Sequence, residues 1–232
     1  MRNLLIVFTK PLLELHIFSI MKSKIRADVR WNCPFAGIIS GPSRSGKTTF
    51  IFNMLKRRKE LFDSVPTRIV YVYGIWQKAF ENKPHIEFIW GIDKILDGTI
   101  DFNENENNML ILDDVMEEVS SNKKASTLFT RDMHHKNVTV WFVLQNLYKQ
   151  GPSMRDIMLN CQIMILFRSP RDVSQVSLLA KQTGIKGLKT AYEQAIKEPY
   201  GYLVINLQPQ TDDRLVFQSE LFAKHRAVYI PK

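Results

Sequence analysis

Short apolar runs alternate with amphipathic stretches along most of the chain, and polar turns separate them. Residues 35–40, Phe-Ala-Gly-Ile-Ile-Ser, form a compact apolar run ending at Gly41-Pro42, the pattern of a buried strand. Over residues 48–62, apolar side chains recur at Phe50, Ile51, Met54, Leu55 and Leu61, which predicts a helix with basic residues near its C-terminal end. Arg68–Tyr73 reads as a second strand and residues 86–90 as a short third. The polar run 103–108 predicts a loop before residues 109–112, which are apolar throughout and end in Asp113-Asp114. Residues 125–135 read as a helix. Val138–Leu144 reads as a buried strand tipped by Gln145-Asn146. A short helix over 153–159 precedes a strand over Ile163–Phe167, which leads into Arg168-Ser169-Pro170-Arg171. Residues 174–182 and 188–197 predict helices, and 202–207 and 215–217 predict closing strands that run antiparallel.

Strands alternating with helices predict an α/β fold, a mostly parallel central sheet flanked by helices, with antiparallel strands near the C-terminus. No long linker interrupts residues 31–232, which are expected to form a single domain behind an N-terminal extension over 1–30. Within that extension, residues 4–8 and 12–21 are apolar-rich. Lys10, Pro11, Glu14 and His16 interrupt them, so no stable membrane insertion is expected. A chain of 232 residues buries roughly 70% of its unfolded surface, enough for a substantial core. The formal net charge of +9 favours a polyanionic partner, nucleic acid being the commonest. Two cysteines, Cys33 and Cys161, sit beside apolar residues and read as buried free thiols rather than a disulfide or metal framework.

Candidate chemistry begins at residues 41–48. Gly41-Pro42-Ser43-Arg44-Ser45-Gly46-Lys47-Thr48 satisfies the pattern G-x-x-x-x-G-K-[ST], followed by Thr49 at the start of the predicted helix. A chance match in a chain this long has a probability of about one percent, and a strand before with a helix after lowers it further. Glycines let the backbone curl so that its N–H groups face phosphate oxygens, and the helix adds its positive end. Lys47 would bridge the terminal phosphates of ATP and Thr48 would ligate Mg²⁺. Asp113, at the end of an apolar strand, would hold the Mg²⁺ shell, and Asp114 could orient or deprotonate the attacking water. The same acids could instead cap a helix starting near Val115. Gln145, at the tip of the following strand, could read the γ-phosphate or merely finish the strand. The stretch between Lys47 and Asp113 has room for an additional strand and helix. A polar-tipped strand after the acidic one is the order of motor-type ATPases, where the additional strand lies between the phosphate-loop strand and the acidic strand. No N-K-x-D motif supports a GTPase. A nucleoside or nucleotide kinase explains neither Asp114 nor Gln145.

Four segments occur in order: GPSRSGKT at 41–48, LILDD at 110–114, LFTRDMHHKNVTVWFVLQNLY at 128–148 and FRSPRD at 167–172. Together they resemble the viral genome-packaging ATPases of the FtsK/HerA superfamily, above all the poxvirus-type enzymes and their relatives in Polinton (Maverick) elements and adintovirus-like viruses. The resemblance covers roughly residues 33–220. It implies a homo-oligomeric ring, a hexamer or pentamer, that hydrolyses ATP with Mg²⁺ to drive double-stranded DNA into a preformed capsid. It further implies capsid proteins as partners and work in the infected host cell, in cytoplasm or nucleus, at sites of virion assembly. In such rings an arginine from one subunit completes its neighbour's site. Arg131 is the first candidate by resemblance, with Arg155, Arg168 and Arg171 as alternatives. Asp114 departs from the Glu of many superfamily members. His134-His135 reads as interface residues or residues leading into a strand, because neighbours on a helix point apart. A helicase or a mobile-element replication protein on the same core is the nearest alternative.

Overall fold

The unbroken apolar runs of the sequence become buried strands. Every residue of Ala36–Ser40, Val138–Leu144 and Ile163–Phe167 is buried, as expected for strands covered on both faces. The computed structural model describes residues 4–7, 14–15, 25–26, 29–122, 125, 127–147, 152–169 and 173–230. In chain order the strands described are β1 Leu4–Val7, β2 Glu14–Leu15, β3 Ile25–Arg26, β4 Ala36–Ser40, β5 Arg68–Tyr73 and β6 Glu87–Trp90. They continue with β7 Asn108–Asp113, β8 Val138–Leu144, β9 Ile163–Phe167, β10 Tyr202–Asn206, β11 Phe217–Ser219 and β12 His225–Val228. The chain divides into two compact units. One comprises Met1–Trp31, Gly41–Leu61 and Met164–Lys232; the other comprises Asn32–Ser40 and Phe62–Ile163.

In the second of these units the strand order is β4-β8-β7-β5-β6, and every neighbouring pair is parallel. The additional strand, β8, lies between β4 and the acidic strand β7, as the sequence predicts. Register aligns the C-terminal ends. Ser40 pairs with Leu144, Val143 with Asp113, Asp113 with Tyr73, and Tyr73 with Trp90. Polar groups that follow these strands therefore emerge along one edge, where ligands bind in open parallel sheets. Large side chains fill the interior. Phe35 stacks on Phe62 at 6.2 Å between ring centroids and meets Trp141 edge-on at 5.3 Å. Cys161 is buried as expected. Cys33 is only half-buried, and its backbone N–H donates to Asp63 Oδ1 at 2.9 Å. Burial still pushes its thiol up to about 11, so it stays protonated.

In the other unit the strand order is β9-β10-β11-β12-β1, with antiparallel pairing from β10 through β1. The helix Lys47–Lys56 buries Phe50, Ile51, Met54 and Leu55. Phe50 meets Phe167, Tyr202 and Phe222 at centroid distances of 5.7, 4.9 and 5.0 Å. The predicted helix over 48–62 is two helices, Lys47–Lys56 and Arg58–Leu61. Arg57 breaks it as the C-cap, and its guanidinium donates to the Phe222 carbonyl at 2.7 Å. The predicted strand over 215–217 is shifted: Asp213–Leu215 is a 3-10 turn, with Asp212 accepting from the Arg214 N–H, and the strand begins at Phe217. Of the expected extension over 1–30, β1 pairs antiparallel with β12 and β2 with β3; most of the rest lies outside the described residues. No helix among the described residues is long and apolar enough to cross a membrane.

Candidate functional site

The loop over residues 41–48, the expected phosphate cradle, is built from its own backbone. Ser45 N–H donates to the Pro42 carbonyl at 3.2 Å, closing the turn, and Phe50 N–H reaches back to the Gly46 carbonyl at 2.9 Å. Arg44 and Gly46 take left-handed φ values of 64° and 102°, the kind of backbone turn from which anion-binding nests are built. A side chain at Gly41 would stand 2.6 Å from Phe167 Cβ, so only glycine lets the loop lie against that ring. Phe167 is held in turn by Tyr192, whose hydroxyl donates to its carbonyl at 2.9 Å and accepts from Ser169 N–H at 3.1 Å. Lys47 Nζ folds over the loop and donates to the carbonyls of Gly41 at 2.6 Å and Pro42 at 3.0 Å. Ser43, Arg44 and Thr49 are exposed, while Ser45, Lys47 and Thr48 are half-buried. The Ser45 hydroxyl oxygen is buried without a hydrogen-bond partner among the described residues. An orphaned hydroxyl is costly unless a ligand satisfies it. The curled backbone, the lysine over it and this hydroxyl fit a nucleotide phosphate chain.

The acidic tip of β7 lies in the other unit. Asp113, its last residue, is 7% exposed, and Tyr71 on β5 donates its hydroxyl to Asp113 Oδ2 at 2.6 Å. Burial, followed by the Asp113 charge, holds the Tyr71 hydroxyl far above its ordinary value, so it remains a donor. Asp114 leaves the strand at φ 60° and is exposed. Gln145 Nε2 donates to Asp114 Oδ1 at 3.2 Å. The helix-capping alternative is not what forms: the helix Met116–Ser121 is capped by Val115 with no side-chain hydrogen bond. Burial, then Asp93, Asp114 and Glu117, raise the Glu118 carboxyl, a mark of the negative potential at this edge.

No family model and no curated protein matches the chain. Solved structures do. The DNA-packaging ATPase B204 from Sulfolobus Turreted Icosahedral Virus is 13% identical at a TM-score of 0.52, over 86% of this chain and 99% of that one. The genome packaging NTPase B204 from Sulfolobus turreted icosahedral virus 2, in complex with AMPPCP, is 13% identical at 0.50, over 77% of this chain and 95% of that one. The cytoplasmic domain of the Thermomonospora curvata Type VII secretion ATPase EccC is 11% identical at 0.52, over 99% of this chain and 28% of that one. The fold is that of a P-loop NTPase.

Within this P-loop fold, Gln145 and Asp114 come into direct contact, and Asp113 is fixed beside them in sequence by Tyr71. Residue 131 lies in a single π-helical turn, Leu128–Asp132, but its side chain falls outside the described residues; so does that of Arg155, and Arg171 falls outside entirely. Arg168 is exposed and donates to the Lys197 carbonyl at 3.4 Å. His134 and His135 are exposed on Met133–His135, one turn before β8. Sequence reasoning passes over Tyr71. Its signal is a hydroxyl in the otherwise apolar interior of β5, at a position whose partner only the β5–β7 register reveals.

Proposed function

We propose that this chain is an ATP-hydrolysing motor that moves double-stranded DNA during viral genome packaging. One observation carries the reading. Strand β8 is inserted between β4 and the acidic strand β7, and its polar tip, Gln145, contacts Asp114. A kinase reading leaves an amide tied to a second acid unexplained, whereas a hydrolase that must couple phosphate state to movement has a use for both. The likeness of fold to a DNA-packaging ATPase supports the choice of motor, and the net charge of +9 supports a polyanionic track.

The residues take the following roles. Residues 41–46 cradle the phosphates through backbone N–H groups, and Lys47 exchanges its loop carbonyls for phosphate oxygens. Thr48 and Asp113 would hold Mg²⁺, which supplies charge neutralisation on the phosphates when bound. Thr49, in the first turn of the helix Lys47–Lys56, adds its backbone N–H to the positive end that faces the phosphates. Asp114 takes the proton of the attacking water, and Gln145 orients that carboxylate and senses its change. Arg131 is supplied to the neighbouring copy in a homo-oligomeric ring, a hexamer or pentamer, and capsid proteins are the further partners, at assembly sites in the infected cell.

The test is the ATPase rate with and without duplex DNA, with the oligomer mass measured on the same sample. Stimulation by duplex DNA in a ring-sized oligomer supports the proposal. Stimulation by single strands with strand separation would indicate a helicase. Phosphoryl transfer to a small acceptor by a monomer would overturn the motor reading.

A further inference from the structure

Tyr200 has no evident structural reason to be tyrosine. It is 69% exposed, its hydroxyl makes no hydrogen bond among the described residues, and its φ is 61°. A bulky side chain in the left-handed region is an outlier, and strain of this kind is kept where it positions something. The strain sits beside the phosphate loop. From the point where a Cβ on Gly46 would stand, Tyr200 Cδ1 is 3.6 Å away, and Phe167 Cε1 is also 3.6 Å away. Two aromatic rings therefore flank the last glycine before Lys47, one of them buried and the other open to solvent.

The turn carrying Tyr200 is held to the same strand end that supports the loop. Gly201 N–H donates to the Glu198 carbonyl at 3.0 Å, and Arg168 N–H donates to the Gly201 carbonyl at 2.9 Å. Arg168 directly follows Phe167, the ring against which Gly41 lies. The loop, Phe167 and Tyr200 thus form one connected piece of the unit that contains Gly41–Leu61 and Met164–Lys232.

We infer that Tyr200 is the stacking platform for the nucleobase of the bound nucleoside triphosphate, an inference that rests on the nucleotide site proposed above. A triphosphate seated on residues 41–48 carries its ribose and base away from the loop, and the first exposed π-face bordering Gly46 is the Tyr200 ring. Stacking recognises the face that every base shares, and this platform supplies affinity without reading the base edge. The left-handed φ sets the direction in which the side chain leaves the backbone, and the ring stands at the loop's border, 3.6 Å from the Gly46 Cβ position.

The test compares ATP with inorganic tripolyphosphate, which has the phosphates and no base. Calorimetric titrations with Mg²⁺ present are made on the parental protein, Tyr200→Gly and Tyr200→Phe. Glycine relieves the left-handed strain, so Tyr200→Gly should melt at or above the parental temperature. It should bind ATP about 5- to 150-fold more weakly, the range of one aromatic–base stack. Its tripolyphosphate affinity should not change, and Tyr200→Phe should restore ATP binding. Parental ATP affinity in Tyr200→Gly overturns the inference. So does an equal loss of ATP and tripolyphosphate, which would make Tyr200 a support of the loop. A parental protein that binds tripolyphosphate as tightly as ATP overturns this inference alone, whereas one that binds neither overturns the nucleotide site as well.

Discussion

Removing one oxygen from Tyr71 isolates the contact that holds Asp113. In Tyr71→Phe the ring keeps its neighbours, Phe80 at 5.0 Å and Phe88 at 5.3 Å, because the hydroxyl takes no part in those contacts. What is lost is a 2.6 Å hydrogen bond from a buried phenol to a carboxylate that is 7% exposed. Bonds to charged groups contribute about 1.5–3 kcal/mol to stability. At about 2–4 °C per kcal/mol for a chain of this size, the melting temperature should fall by about 3–12 °C. The functional consequence follows from which oxygen is held. The hydroxyl engages Oδ2 and thereby sets the rotation of the carboxylate that is proposed to bind the metal. Tyr71→Phe should then lose affinity for ATP in the presence of Mg²⁺ and bind metal-free ATP, measured in excess chelator, as the parent does. Loss that is equal with and without Mg²⁺ would refute the positioning role, since a general loosening of the fold does not distinguish the two. An unchanged melting temperature would refute the hydrogen bond itself.

Lys47→Ala should lower ATP turnover by about 10²-fold or more, the effect of removing one preorganised electrostatic donor, and a steady-state rate near the parental one would contradict its role on the phosphates. Asp114→Asn keeps the shape that Gln145 contacts and should retain ATP binding while hydrolysis falls by about 10²- to 10⁴-fold; single-turnover kinetics at the parental rate would dismiss Asp114 as the base. Gly74→Ala places a Cβ 2.4 Å from the Asp114 carbonyl oxygen, a backbone atom that cannot swing aside. It should destabilise the fold by about 1–3 kcal/mol in denaturant unfolding and reduce turnover, and a neutral result would mean that the Gly74–Asp114 approach is not this close.

The parallel strands were legible because each is an unbroken apolar run bounded by glycine or polar residues. Arg68–Tyr73 and Val138–Leu144 begin and end where the sequence predicts, and so does Ile163–Phe167, a strand in the same kind of run. The candidate phosphate loop over residues 41–48 could be marked from sequence because its residues are contiguous and each position has its own chemical demand. Short helices such as Asp93–Leu96 and Met116–Ser121 complete too few turns to show a period. Strand His225–Val228 carries two basic residues and so lacks an apolar signature. The residues proposed to position the site were hidden for another reason. Tyr71 meets Asp113 across 42 positions of sequence, and the meeting depends on strand register, which no local window contains. Tyr200 betrays itself only through a backbone dihedral.

The acid pair shows how much a single dihedral can decide. Asp113 and Asp114 are the same residue type in adjacent positions. The first ends a regular strand, buried and held by a phenol; the second turns to φ 60° and becomes exposed, within reach of Gln145. Strand geometry alone would have sent the two side chains to opposite faces. The left-handed turn also bears on why position 114 is Asp rather than Glu. Asp is several-fold enriched in that region because its short side chain can hydrogen-bond locally, an advantage that Glu lacks. Gln145 extends from the tip of β8, the strand next to β7, and its amide closes on the carboxylate at 3.2 Å. The backbone turn thus favours Asp at position 114, and the amide holds its carboxylate from the neighbouring strand.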